Sequence, residues 1–224
     1  MPTILYLRSQ TSPWAPPAGE RSAALPNGTG VTAAVLTEDM SLLLERGSSQ
    51  VSATRVGPAS TGHHDGYFGR FTSPPLAAQT FTGEVYGVAP FIAGAEDTAF
   101  ANAQIAIGSI YVYRPSDDTV VGYLKDSHSG QGGAELALAE EGRDLTANTA
   151  SSTTVTSEEG DVLVFEVWLH WQHGNLGNRV KTIWWDGATD VVNGVATSDA
   201  ASYLLLEHDV VWMQPAFQML GVGR

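Results

Sequence analysis

Apolar and polar residues alternate along much of this chain, and the period is two rather than three and four. The clearest case is 161–171. Leu163, Phe165, Val167, Leu169 and Trp171 form one face, while Val162, Val164, Glu166, Trp168 and His170 form the other. A period of two is that of an extended strand. The second face grows more polar along its length. Gly160-Asp161 supplies a turn just before it.

Ile105–Tyr113 and Thr119–Leu124 flank Arg114-Pro115-Ser116-Asp117-Asp118. Proline fixes φ, and Ser and Asp bond their own backbone, so this reads as a β-hairpin. Val180–Trp185 is a further strand, closed by Asp186-Gly187. Tyr67–Thr72, Thr80–Ala89, Leu42–Arg46 and Ile4–Arg8 are weaker ones. Ala134–Glu141 is the best helical candidate in the body, and it is short. Ser48–Gly62 and Gly130–Gly133 read as loops. About ten short strands separated by turns predict an all-β, jelly-roll-like antiparallel β-sandwich. No internal repeat is visible.

Both ends are atypical. Residues 1–20 read as an N-terminal strand and a Pro-rich arm containing Trp14 and Pro16-Pro17. Residues 21–205 read as the sandwich. Residues 206–224 read as an apolar C-terminal arm carrying Val210, Val211, Trp212, Phe217 and Leu220. Two readings stand for that end: a last strand and tail packed on its own domain, or an arm that docks on a neighbouring subunit.

Composition narrows the function classes. Of 224 residues, 24 are acidic and 11 basic, for a net charge of −13. A nucleic-acid partner is not expected, because such proteins need a Lys/Arg surplus. With no Cys there is no disulfide framework and no thiolate chemistry. No apolar run is long enough for a membrane helix, and Met1–Arg8 lacks the pattern of an export signal.

Several groups are chemically suggestive. His63-His64-Asp65 has ligand chemistry in an expected loop, and His170-Trp171-Gln172-His173 sets two imidazoles three apart. In a strand, residues three apart lie on opposite faces. Polar loop and strand-end residues are the favoured reading of both groups, so no metal or other cofactor is expected. Paired carboxylates at Asp117-Asp118, Glu140-Glu141 and Glu158-Glu159 sit in turn contexts. No hydrolase, P-loop or dinucleotide motif occurs. Trp184 and Trp185 are adjacent in a strand and must face opposite sides, so one of them lies outside the core. With His170, this pair offers a possible glycan-stacking site; core packing of one ring is favoured.

Taken in order, Tyr67-Phe68-Gly69-Arg70-Phe71-Thr72-Ser73-Pro74-Pro75-Leu76-Ala77-Ala78-Gln79-Thr80, Ser109–Ser116 with Thr119–Gly122, and Gly160–Trp168 resemble recurring stretches in structural proteins of tailed bacteriophages. Trp185–Asp190 and Thr197–Tyr203 belong to the same pattern. The resemblance spans roughly residues 3 to 205. It implies a non-enzymatic virion component, of minor tail or capsid-decoration type, assembled in the host cytoplasm. Its partners would be other virion proteins, major capsid or tail proteins among them, and further copies of itself. Ending the chain after Tyr203 is then expected to leave a folded domain that no longer joins the particle. The alternative is a glycan-binding module for adsorption to the host surface.

Overall fold

The computed structural model describes residues 1–16, 39–56, 62–82, 88–96, 103–125, 136, 138–144, 153–173, 180–189 and 201–214. In these the chain is all-β. The strands are β1 Thr3–Thr11, β2 Asp39–Leu43, β3 Val51–Val56, β4 Gly62–Pro75, β5 Gln79–Thr82, β6 Val88–Glu96 and β7 Ala103–Arg114. They continue as β8 Thr119–Lys125, β9 Glu141–Asp144, β10 Thr154–Ser157, β11 Val162–His173, β12 Val180–Trp185 and β13 Tyr203–Leu206.

The main sheet runs β3-β12-β6-β13-β1-β2-β4-β11-β7-β8, with β9 added on β6; β10 and β5 pair separately. It curls into a half-barrel, sandwich-like arrangement. Every pairing is antiparallel except β2 with β4, where Met40 lies beside Phe71 in parallel.

The strongest sequence pattern makes the most buried strand. β11 pairs with β4 on one edge and β7 on the other. Leu163, Phe165 and Val167 enter the main core with Phe71, Leu5 and Leu204. Val162 and Val164 form a second cluster with Tyr111 and Tyr113 on the opposite face. Over Val162–Trp168 both faces of β11 are therefore covered, and even Glu166 is buried there. The expected hairpin is present as β7 and β8, joined at residues 115–118. In that turn Asp118 has φ 54°, and its carboxylate accepts a 2.8 Å bond from the Tyr113 hydroxyl.

Three expectations need correction. The segment read as a loop, Ser48–Gly62, contains β3. The helix expected at Ala134–Glu141 is absent from its described part: Leu136 is buried in irregular backbone, residues 138–139 form a bend, and β9 starts at Glu141. The run Thr80–Ala89 is not one strand, since β5 ends at Thr82 and β6 begins at Val88. β9 explains its own glycine. Gly142 faces the Phe91 ring, and a Cβ there would collide with it. Gly142→Ala is expected to cost about 1–3 kcal/mol through overpacking, read as a lower midpoint in chemical denaturation with an unchanged m-value.

The first and last described strands both lie inside the sheet. β1 is an interior strand, hydrogen-bonded to β13 on one side and β2 on the other. Leu206, placed at the start of the expected C-terminal arm, is the last residue of β13 and fully buried.

Candidate functional site

The described C-terminal residues do not hang free. After β13, the exposed residues Glu207, His208 and Asp209 carry the chain over the first strand, where Asp209 meets the terminal ammonium of Met1 at 2.9 Å. Val210 then drops into the core at 7% exposure, and its amide donates to Thr3 Oγ1 at 3.0 Å. The next residues lie antiparallel to the segment between β4 and β5. Leu76 and Trp212 form a bridge, Ala77 N–H donates to Val211 O at 3.0 Å, and Met213 N–H donates to Pro75 O at 2.9 Å.

Gln79 completes this anchorage. Its Nε2 donates to Val211 O at 2.7 Å, and its Oε1 accepts from Val211 N–H at 3.0 Å. One carboxamide thus satisfies both polar groups of Val211, as a neighbouring strand would. Gln79→Ala leaves those groups without that partner. The expected effect is loss of about 1–3 kcal/mol in local opening free energy, read as faster amide hydrogen exchange at Val211 and Met213 than at β11.

Backbone anchorage leaves some side chains outward. Val211 is 54% exposed and Met213 is also exposed, while Trp212 packs half-buried on the core. Of the expected docking residues, Val210 belongs instead to the chain's own core, because β13 delivers it beside Thr3. Trp14 is half-buried against the second cluster of Tyr111, Tyr113, Val162 and Val164. Its amide donates to Ser12 Oγ at 2.9 Å, and Ser12 in turn bonds the Thr72 hydroxyl. Phe217 and Leu220 lie outside the described residues.

The adjacent tryptophans divide between the two faces. Trp185 is core, 6% exposed, with its ring edge-on to Phe68 at 5.5 Å. Its Nε1 has no hydrogen-bond partner. Trp184 is half-buried on the other face, opposite Ser52 in register. Thr182 shares that face, and its hydroxyl meets that of Thr54 at 3.3 Å. A ring beside neutral hydroxyls offers stacking and hydrogen bonding without charge. Trp185, buried as it is, offers no such surface. His170 lies on β11, two strands beyond β2 and well along the sheet from β12.

Sequence reasoning missed a polar cluster that welds distant segments. Asp186, at φ 64° just after β12, accepts bonds from Arg8 Nε and from the amide and hydroxyl of Ser9. Arg8 Nη1 also donates to Glu45 O and Arg46 O, both at 2.8 Å. Asp186 N–H donates to Leu7 O at 3.1 Å. Gly47 approaches so closely that a Cβ would strike the Asp186 carbonyl and carboxylate. These bonds tie β1 and the segment after β2 to the end of β12.

At the hairpin end, Arg114 Nε and Nη2 grip Asp161 at 2.9 and 3.0 Å, and Glu158 N–H donates to the same carboxylate at 2.8 Å. Donating to the Asp161 carboxylate raises the Arg114 pKa further above its already high value. Among the described residues, no group of three His, Asp or Glu side chains could hold a metal ion, and no helix is long and apolar enough to cross a membrane.

No protein-family model matches the chain, and no curated protein matches it. Solved structures give faint likenesses. A CocE/NonD family hydrolase from Staphylococcus aureus aligns at 10% identity with a TM-score of 0.42, over 94% of this chain and 37% of that one. A structure of infectious bursal disease virus, Gx strain, aligns at 11% identity with a TM-score of 0.16, over 75% of this chain and 41% of that one. The chain thus spans well under half the length of either protein, and likeness at these scores carries no functional argument.

Proposed function

We propose that this protein is a non-enzymatic structural component of a tailed-phage virion, of minor tail or capsid-decoration type, which docks on neighbouring subunits. The observation that carries the reading is the construction of its C-terminal segment. Residues 210–213 are fixed by their backbone on the sandwich, yet Val211 and Met213 face outward, and the chain continues from there toward Phe217 and Leu220. A rigidly anchored root lowers the ordering entropy that an apolar arm loses on docking. Each fully buried side chain of this size then contributes about 1.5–3 kcal/mol, and repetition over a symmetric particle multiplies the effect.

The phage-like motifs fit a scaffold role. Tyr67–Pro75, Ser109–Arg114, Thr119–Gly122 and Val162–Trp168 fall on β4, β7, β8 and β11, four neighbours in the sheet. They form contiguous strands of the main sheet. The test is a chain ended after Gln214, which keeps every described strand and the anchor. Virions assembled with it are expected to lack the protein while the purified chain stays folded. Normal incorporation of that chain would overturn the arm reading.

A second reading, a glycan-binding module for host adsorption, is favoured by Trp184 alone, half-exposed beside Thr182 and Thr54. A glycan array with wild type and Trp184→Ala decides it. Binding lost in the variant supports the module, and no binding by wild type removes it.

A further inference from the structure

The anchored C-terminal segment uses only one of its two backbone edges. Leu76 and Trp212 form an antiparallel bridge whose bonds come from the flanking residues, Ala77 N–H to Val211 O at 3.0 Å and Met213 N–H to Pro75 O at 2.9 Å. In a wide pair of this kind the N–H and C=O groups of the two central residues point away from each other. Leu76 shows the consequence on its side: its N–H donates to Asp161 O at 2.7 Å, and its C=O accepts from Gly160 N–H at 2.9 Å. Trp212 turns its own N–H and C=O to the opposite side, where among the described residues no group bonds them. Along an extended chain, residues two apart share an edge, so the exposed Gln214 continues this one. Val210 closes it at the other end by donating to Thr3 Oγ1.

Charge narrows what can meet this edge. From Val210 to Leu220 no residue is ionisable. The nearest charge, Asp209, is met by the Met1 ammonium. A chain of net charge −13 repels its own copies over most of its surface. Here two copies can approach without apposing like charges. Val211 and Met213 both turn outward beside the edge, so an approaching strand buries apolar area. Residues 210–214 also carry none of the devices that block strand addition, neither a proline nor a charge.

We propose that the edge from Trp212 to Gln214 pairs with the same edge of a second copy, antiparallel about a twofold axis. This deepens the docking reading, on which it rests, by naming the partner at the root of the arm. An isologous contact needs a surface complementary to itself, and a strand edge with matched donors and acceptors meets that condition. With Met213 opposite its own counterpart, Trp212 exchanges N–H···O bonds with the partner's Gln214, and Gln214 does so with the partner's Trp212. An axis through Trp212 instead would set the partner's Gln214 against Val210, whose N–H already serves Thr3. The contact is small, and repetition over a symmetric particle supplies its strength.

The absence of cysteine makes the test selective, because a single introduced thiol can bridge only between copies. In a wide pair the two Cα atoms lie about 4.5 Å apart, within the range of a disulfide. Full-length Met213→Cys is expected to oxidise to a covalent dimer at least about 10-fold faster than Val211→Cys, which is more exposed but faces no copy of itself in this register. Analytical ultracentrifugation of the wild-type chain is expected to show a monomer–dimer equilibrium that added salt strengthens by screening the net charge. Gln214→Pro removes an edge N–H from each copy and is expected to weaken that equilibrium about 10-fold or more. Melting curves under reducing conditions check that each variant is folded. Equal oxidation rates of the two cysteine variants overturn the proposal, as does a wild-type chain that stays monomeric at every concentration. The particle separates this failure from that of the docking reading: virions that exclude the chain ended after Gln214 uphold that reading even where Met213→Cys does not cross-link.

Discussion

A chain ended after Tyr203 is expected not to fold, whereas one ended after Gln214 is expected to melt cooperatively. The sequence, read alone, puts the end of the sandwich at residue 205 and predicts that the shorter chain survives. The sheet reverses this. Leu204 and Leu206 are fully buried, and Val210 is nearly so. β13 pairs with β1 along Thr3–Tyr6 and with β6 along Val88–Phe91, so its removal takes one partner from each of two interior strands and splits the sheet between them. Deleting each buried leucine side chain costs about 2–5 kcal/mol. With the lost ladders and Val210, the total reaches the whole stability of an ordinary domain, about 5–15 kcal/mol. Soluble yield and near-ultraviolet circular dichroism of the two chains compare them directly. A folded 1–203 chain would show that β13 is dispensable.

Asp186→Ala carries the next largest effect, an expected loss of about 3–5 kcal/mol. Asp186 and Arg8 are both largely buried, with side chains 8% and 13% exposed. Removing the carboxylate takes the charged partner from a largely buried guanidinium and leaves it only the Glu45 and Arg46 carbonyls. It also frees the Ser9 amide and hydroxyl. The double variant Arg8→Met with Asp186→Ala is expected to recover part of the loss, because no unpaired charge remains. Urea denaturation of wild type, both single variants and the double variant gives the coupling. A purely additive result would mean that the pair does not interact.

What the sequence displayed depended on where the information lay. β11, β7 and β8 were legible because period-two burial and a Pro-Ser-Asp turn are local signals. β3 was not: Val51-Ser52-Ala53-Thr54-Arg55-Val56 is a terminal strand of the sheet, paired only with β12 among the described strands. Its outer face is polar and its neighbours are Ser and Gly, so it resembles a loop. β9, four residues of Glu-Gly-Arg-Asp, becomes a strand only because β6 offers an edge. The tryptophan pair was half legible. Adjacency dictated that Trp184 and Trp185 part company, but nothing local said which one enters the core. The Asp186 cluster was invisible because its partners lie 177 and 178 residues away. The register that sets Asp65 opposite His170 was hidden for a similar reason, since register is a property of the pair of strands and not of either one. Whether Val210 and Trp212 pack on their own domain or dock on a neighbour stayed open in the sequence, because an apolar tail and a terminal strand have the same composition.

The pairing of β1 with β13 also dictates a timetable. Thr3 needs Leu206 as its neighbour, and a ribosome adding about 5–20 residues per second takes about 10–40 s to travel between them. Throughout that interval one edge of β1 stays open, with Leu5 and Leu7 lacking part of their final cover. The main sheet therefore closes only after translation of β13, as one late event. Until then the open strand edge and uncovered leucines make the half-finished sheet the form most prone to associate with other chains.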